Sequence, residues 1–191
     1  MAALEAGLSQ FGENRVQEAE EKIPQLEQYD ITWHMLGHLQ RNKAQNAIQL
    51  FQWLHSLDSP RLARRLQQQL EKEGMDTFPV YLQVNTSGED SKYGITPDRL
   101  SPLLEQIARQ CPRLRVEGLM TIAPFVDDEA VLRQSFRKLR ELRETTDVSG
   151  YDNVSLKDLS MGMTNDFEIA IEEGATHLRI GRAIFGERRS R

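Results

Sequence analysis

One cysteine is all that this chain contains. A single thiol cannot close an internal disulfide, which excludes a cross-linked extracellular scaffold and makes a reducing cytoplasm the expected setting. Cys111 stands just before Pro112 in a helix-to-strand connection and reads as inert. A net positive charge is lacking as well. The formal net charge is −5, so no global basic field gathers nucleic acid, and the short basic end GERRSR carries little weight against it. No apolar run approaches the length of a membrane span. The opening MAALEAGLSQFGEN has no basic region followed by an apolar one, so it does not read as a secretory signal. Neither a nucleic-acid nor a membrane partner is expected. Low-complexity linkers and breaks in composition are also missing, and residues 1–191 read as one domain with room for a sizeable core.

What is present is alternation. Seven runs have strand character: QFGEN, ITWHMLGHL, QWLHSLDS, FPVYLQVNTS, LRVEGLMTIA, LKDLSMGM and ATHLRIGRAIFG. Helical periodicity fills the intervals, from RVQEAEEKIPQLEQY to NDFEIAIEEG. Ser59 and Pro60 open one helix as N-cap and first helical residue, and Gly74 closes it. Gly174 closes the last one. Such alternation implies parallel strands joined by crossover helices. An open doubly wound sheet and a barrel both satisfy it. No G-x-G-x-x-G follows the first strand, which counts against the dinucleotide-binding sheet. Glycines cluster instead after the last two strands, where barrels hold phosphate. The expected fold is therefore α/β, a TIM (β/α)8-type barrel. Seven units are found where eight are needed, and MAALEAGLSQ reads as a helix tail running into a strand. The expectation is a barrel truncated by about one β/α unit at its N-terminus.

The candidate chemistry lies at the strand ends. In LSMGMTND, Ser160, Gly162 and Thr164 offer hydroxyls and free amides, and Asn165 or Asp166 can cap the next helix. In RIGRAIFG, Gly181 permits close backbone approach, and the amides of Gly181 and Arg182 can face an anion. Each glycine alone could simply make a tight turn; together, at two successive strand ends, they point to phosphate. Arg179 lies inside an apolar strand, where a guanidinium is costly without a partner. It either makes a salt bridge across the barrel or serves as a fixed donor to a cofactor ring nitrogen. His34 and His38 are four apart in a strand-like run with Gly37 between them. No metal site is expected from them; one lining the barrel mouth and one making a structural hydrogen bond is the commoner outcome. Asn14 either reaches a ligand or caps a helix, and Met120 either packs on a flat ligand or belongs to the core. Lys92 sits near the tip of the polar loop NTSGEDSKYG. No Ser-His-Asp spacing or G-x-S-x-G elbow appears. A barrel enzyme using phosphate alone would have Glu13 and Asp58 as its acid–base pair.

FGENRVQEAEEK, WHMLGHLQRNK, LMTIAP and LSMGMTNDFEIAIEEGATHLRIGRAIFG together resemble the pyridoxal phosphate homeostasis proteins over essentially the whole chain. These are single-domain barrels similar to the N-terminal domain of alanine racemase. The resemblance implies a protein that binds pyridoxal 5′-phosphate (PLP) and helps control B6 vitamers and amino acids without turnover, as a monomer or weak homodimer. A PLP-dependent racemase-like enzyme is the alternative. Carried over by position, Ser160, Gly162, Gly181 and Arg182 would surround the phosphate. Arg179 would face the pyridine nitrogen, and Asn14, His34 and Met120 would lie near the ring. In the family, a lysine ending the first strand forms the Schiff base with PLP. Lys43, Lys92 and Lys157 do not match that position, so the covalent anchor is expected to be missing from this chain.

Overall fold

The computed structural model describes residues 2–89 and 92–186; the basic stretch after Gly186 lies outside them. Helix α1 (Ala2–Glu5) leads into β1 (Gln10–Glu13), α2 (Val16–Lys22), β2 (Thr32–Met35), α3 (Ala44–Leu50) and β3 (Trp53–Leu57). Then follow α4 (Pro60–Lys72), β4 (Phe78–Gln83), α5 (Leu100–Gln110), β5 (Leu114–Met120) and α6 (Glu129–Thr145). The order closes with β6 (Val154–Met163), α7 (Phe167–Glu172), β7 (His177–Arg179) and α8 (Arg182–Phe185).

Among the described residues, seven strands form one parallel sheet in sequence order, β1 to β7. The sheet curls into a nearly closed barrel. β1 and β7 are each paired on one side only, yet Phe11 of β1 reaches Phe185 of α8 with ring centroids 6.4 Å apart. β1 therefore packs against the helix that follows β7.

Local chemistry sets the boundaries. The Ser59 side chain accepts from Leu62 N at 3.3 Å at the start of α4, and Asp128 accepts from Ala130 N at 2.9 Å at the start of α6. Gly74 and Gly174 follow α4 and α7 in the left-handed region, with φ of +68° and +91°. The run after β1 splits at Pro24, which has no N–H to continue an α-helix, so Ile23–Leu26 tighten into a 3-10 turn. The run ATHLRIGRAIFG also differs from the single strand expected. The ladder stops at Arg179, and Gly181 O receives Ile184 N and Phe185 N to begin α8.

The strands separate two environments. Leu54, Leu82, Leu119 and Leu159 are fully buried against helix residues such as Leu66, Leu104, Ile107 and Phe136. Each such leucine stabilises the fold by about 1.5–3 kcal/mol. Cys111 belongs to this layer, and burial pushes its thiol up to about 11, as an inert cysteine requires. The alternate residues point the other way, into the barrel, and they are not aliphatic.

Candidate functional site in the barrel interior

Barrels of this type usually fill their interior with branched aliphatic residues. Here the interior is built of aromatic and polar side chains. Register pairs Gly12 of β1 with His34 of β2, His34 with Trp53 of β3, Tyr81 of β4 with Gly118 of β5, and Met120 with Ser160 of β6. Ser160 in turn pairs with His177 of β7. Paired residues share a face, so these side chains converge. His34 lies nearly parallel to Trp53 at 5.9 Å, and His55 meets Tyr81 edge-on at 4.5 Å. Tyr81 and His177 are 5.5 Å apart.

A hydrogen-bonded line runs through this cluster. Arg179 Nη1 donates to Ser160 Oγ at 2.9 Å and Nη2 donates to Thr121 O at 2.7 Å. Ser160 Oγ is 2.8 Å from His55 Nδ1, and His55 Nε2 is 2.9 Å from His34 Nδ1. His34 Nε2 is buried and has no partner among the described residues. Burial holds the His34 ring at about 4, with His177 nearby adding to the effect. The same cause, with the charge of His34 next, keeps His55 well below the ordinary histidine value. Both rings are neutral at pH 7. The Arg179 guanidinium is buried although the residue as a whole is half-buried; burial brings it down to about 10, and Asp166 opposes that. Tyr81 donates to Asp158 Oδ2 at 3.2 Å, and burial together with that carboxylate pushes its phenol upward.

The sequence candidates fall into distinct places. Arg179 points inward and is hydrogen-bonded. Ser160 is fully buried beneath the strand end, engaged by Arg179 and His55. Its hydroxyl holds the arginine. Gly162 has φ +90°, and a Cβ there would lie 2.6 Å from Ala170 Cβ of α7. Its place is dictated by backbone and packing. Gly181 is the opposite: a Cβ would meet nothing within 4 Å, which leaves space beside the end of β7. Arg182 is exposed, with Nη2 3.5 Å from Asn165 Oδ1. Met120 is buried in the barrel interior, apart from the helix-side core. Asn14 is exposed at the end of β1. The Asp166 carboxylate turns back to accept from Met163 N at 2.5 Å and does not cap α7.

His34 and His38 do not meet. His38 lies outside the barrel, 3.0 Å from Asp58 Oδ2 and stacked on Tyr93 at 4.1 Å. Burial raises the Asp58 carboxyl, and His38 counters it. No group of three metal-ligating side chains forms among the described residues. Glu13 is ion-paired with Lys22 of α2, so Glu13 and Asp58 are engaged separately and do not form an acid–base pair. Lys92 donates to Ala123 O at 3.0 Å and pairs with Glu89, and Lys157 is exposed. A groove of about 960 Å³ flanks the start of α4, lined by Arg41, Arg61, Arg64 and Arg65 among others. It shares no residue with the interior line. His55, Tyr81 and His177 are the residues that sequence reading missed. The signal was the spacing of two in W-x-H on β3, which puts Trp53 and His55 on one face.

A parallel β/α barrel of strands in sequence order defines the class of fold, and comparison with known proteins gives its family. The chain belongs to the alanine racemase N-terminal domain family, whose model matches residues 1–189. A protein of Aquifex aeolicus named pyridoxal phosphate homeostasis protein is 44% identical over 183 residues, covering 96% of this chain and 78% of that one. The Pseudomonas aeruginosa protein of the same name is also 44% identical, covering 96% and 76%. This similarity puts the chain in the pyridoxal phosphate homeostasis branch of the family. PipY of Synechococcus elongatus, solved with PLP bound, superposes with a TM-score of 0.85 at 38% identity, covering 97% of this chain and 85% of that one. Alanine racemase of Clostridium difficile shares the fold, with a TM-score of 0.77 at 13% identity, covering 98% and 47%.

Proposed function

We propose that this chain binds PLP at the C-terminal mouth of its barrel, as a single domain, and serves the homeostasis of B6 vitamers and amino acids without turnover. The observation that carries the reading is Arg179: a buried guanidinium inside an apolar strand, aimed into the interior beside open backbone at Gly181. The residues fit the cofactor in three respects. Gly181 leaves room for a phosphate to approach the amides of Gly181 and Arg182. Arg179 has five N–H groups, and its two recorded bonds leave donors for a pyridine nitrogen. His34 Nε2 is a buried polar atom in want of a partner. His34 and Met120 would line the ring and Asn14 the rim. Gly162 would shape the strand end and Ser160 would hold Arg179.

When bound, PLP supplies an electrophilic aldehyde and a pyridine electron sink. This chain's own residues suit retention better than turnover. A guanidinium facing the ring nitrogen keeps a proton off it and weakens the sink. Burial holds His34 and His55 neutral, which makes either ring a poor proton acceptor, and burial with the Asp158 carboxylate keeps the Tyr81 phenol protonated. No helix among the described residues is long and apolar enough to cross a membrane.

Calorimetry with PLP and with pyridoxal, which lacks the phosphate, tests the reading. Saturable binding of PLP that falls at least tenfold for pyridoxal and for Gly181→Val is expected. Equal affinities in all three titrations would remove the phosphate contact at Gly181.

A further inference from the structure

Four side chains cross the barrel interior in a line, and the direction of their hydrogen bonds follows from what each can donate. Arg179 has no acceptor, so its guanidinium donates a hydrogen bond to Ser160 Oγ. Ser160 is buried, and His55 Nδ1 at 2.8 Å is the acceptor within reach of its hydroxyl among the described residues. A neutral imidazole that accepts at Nδ1 carries its proton on Nε2. His55 Nε2 lies 2.9 Å from His34 Nδ1, so that nitrogen also accepts, and the His34 proton sits on Nε2. There the line ends, at a buried atom with no acceptor among the described residues. The rings are neutral, as the direction requires: burial holds His34 at about 4 and His55 well below its usual value.

We propose that Arg179, Ser160 and His55 fix His34 in its Nε2–H form, so that the site presents a buried donor and selects a ligand carrying a lone pair at that point. The chemical class is a carbonyl or phenolate-type oxygen or an unprotonated ring nitrogen. A hydroxyl, which can turn its lone pair inward, is tolerated less well than these, and an ammonium is refused. Ser160 and His55 act through His34 and are positioning residues. The ligand half rests on the PLP reading: both vitamers keep the phenolate oxygen, but at the neighbouring carbon PLP carries a carbonyl oxygen where pyridoxamine 5′-phosphate carries an ammonium, and that carbonyl oxygen is the lone pair the His34 donor takes. The tautomer half does not depend on it.

The test uses the chain labelled with ¹⁵N at histidine. In the absence of ligand, long-range ¹H–¹⁵N correlation is expected to show His34 and His55 both as the Nε2–H tautomer. Ser160→Ala removes the hydroxyl that orients His55 and is expected to give a mixture of tautomers at both rings; Ser160→Thr, which keeps the hydroxyl, restores the single form. An Nδ1–H form of His34 in the unaltered chain, or an unchanged pattern in Ser160→Ala, overturns the proposal. Affinity is then compared for PLP and pyridoxamine 5′-phosphate. A preference for PLP of about tenfold, the worth of one neutral hydrogen bond, is expected to shrink in Ser160→Ala and return in Ser160→Thr. Equal affinity for the two vitamers in the unaltered chain overturns the selection. A correct tautomer pattern in a chain that binds neither vitamer upholds the direction of the line and overturns the PLP reading.

Discussion

Replacing Arg179 with methionine should weaken PLP binding while leaving the protein folded. The side chain keeps its length and loses its charge. Two charge-assisted hydrogen bonds disappear, to Ser160 Oγ and Thr121 O, each contributing about 1.5–3 kcal/mol. Against that, the native protein bears the cost of a buried cation. Burial brings the guanidinium to about 10 from 12.5, and at 1.36 kcal/mol per tenfold that is about 3 kcal/mol recovered in the variant. The net destabilisation is then about 0–3 kcal/mol, a fall in Tm of at most about 10 °C for a chain of this size. Affinity for PLP, which loses a charged donor, should fall by about ten- to a hundredfold. Thermal melts beside calorimetric titrations read both quantities. A variant that binds PLP as tightly as the native chain but melts far lower would make Arg179 a purely structural residue and refute the reasoning.

Lowering the pH should destabilise the fold between about 6.5 and 4. His34 is held at about 4 when folded and sits near 6.5 when exposed, so the unfolded chain takes up the proton first. Stability is full above 6.5 and falls below it, by about 3 kcal/mol at pH 4 for this ring alone; His34→Gln should flatten the loss in melts recorded at pH 7.5 and 4.5. Gly162→Ala should destabilise by about 1–3 kcal/mol, because it places a Cβ 2.6 Å from Ala170 at φ +90°, whereas Gly181→Ala, with open space around it, should leave Tm unchanged. Glu173→Ala strips Arg133, Arg137 and Arg140 of a shared carboxylate and should lower Tm by an amount reflecting about 1–3 kcal/mol without changing PLP affinity. Borohydride reduction of the 191-residue chain with PLP, followed by peptide mass spectrometry, should yield no stoichiometric adduct at a single lysine; one on Lys43 or Lys157 would contradict this.

The architecture was legible because its signals are local. Alternating runs, the Ser59–Pro60 start of α4 and the glycines closing α4 and α7 each act within a few residues of themselves. Arg179 stood out for the same reason: a cation inside an apolar strand needs a partner wherever the strand lies. What the sequence did not reveal depends on register between strands far apart in the chain. His55 and Ser160 are 105 residues apart and 2.8 Å from each other, and nothing near either residue announces the other. Gly162 was legible as a glycine that matters, but its reason is the Ala170 side chain pressed against it, a contact set by the docking of α7. The strand-like run at the end was misjudged because RAIF is apolar enough for a strand, while the glycines on either side let it wind into α8.

The central claim is that PLP is held in the mouth of the barrel, and amide chemical-shift mapping tests it most directly. On titration with PLP, the resonances of Gly162, Gly181 and Arg182 at the ends of β6 and β7 should move and saturate together, with the ring signals of His34 following and those of Arg61, Arg64 and Arg65 on α4 unmoved. Shifts confined to the arginine-lined groove beside α4, with the barrel interior silent, would contradict the account.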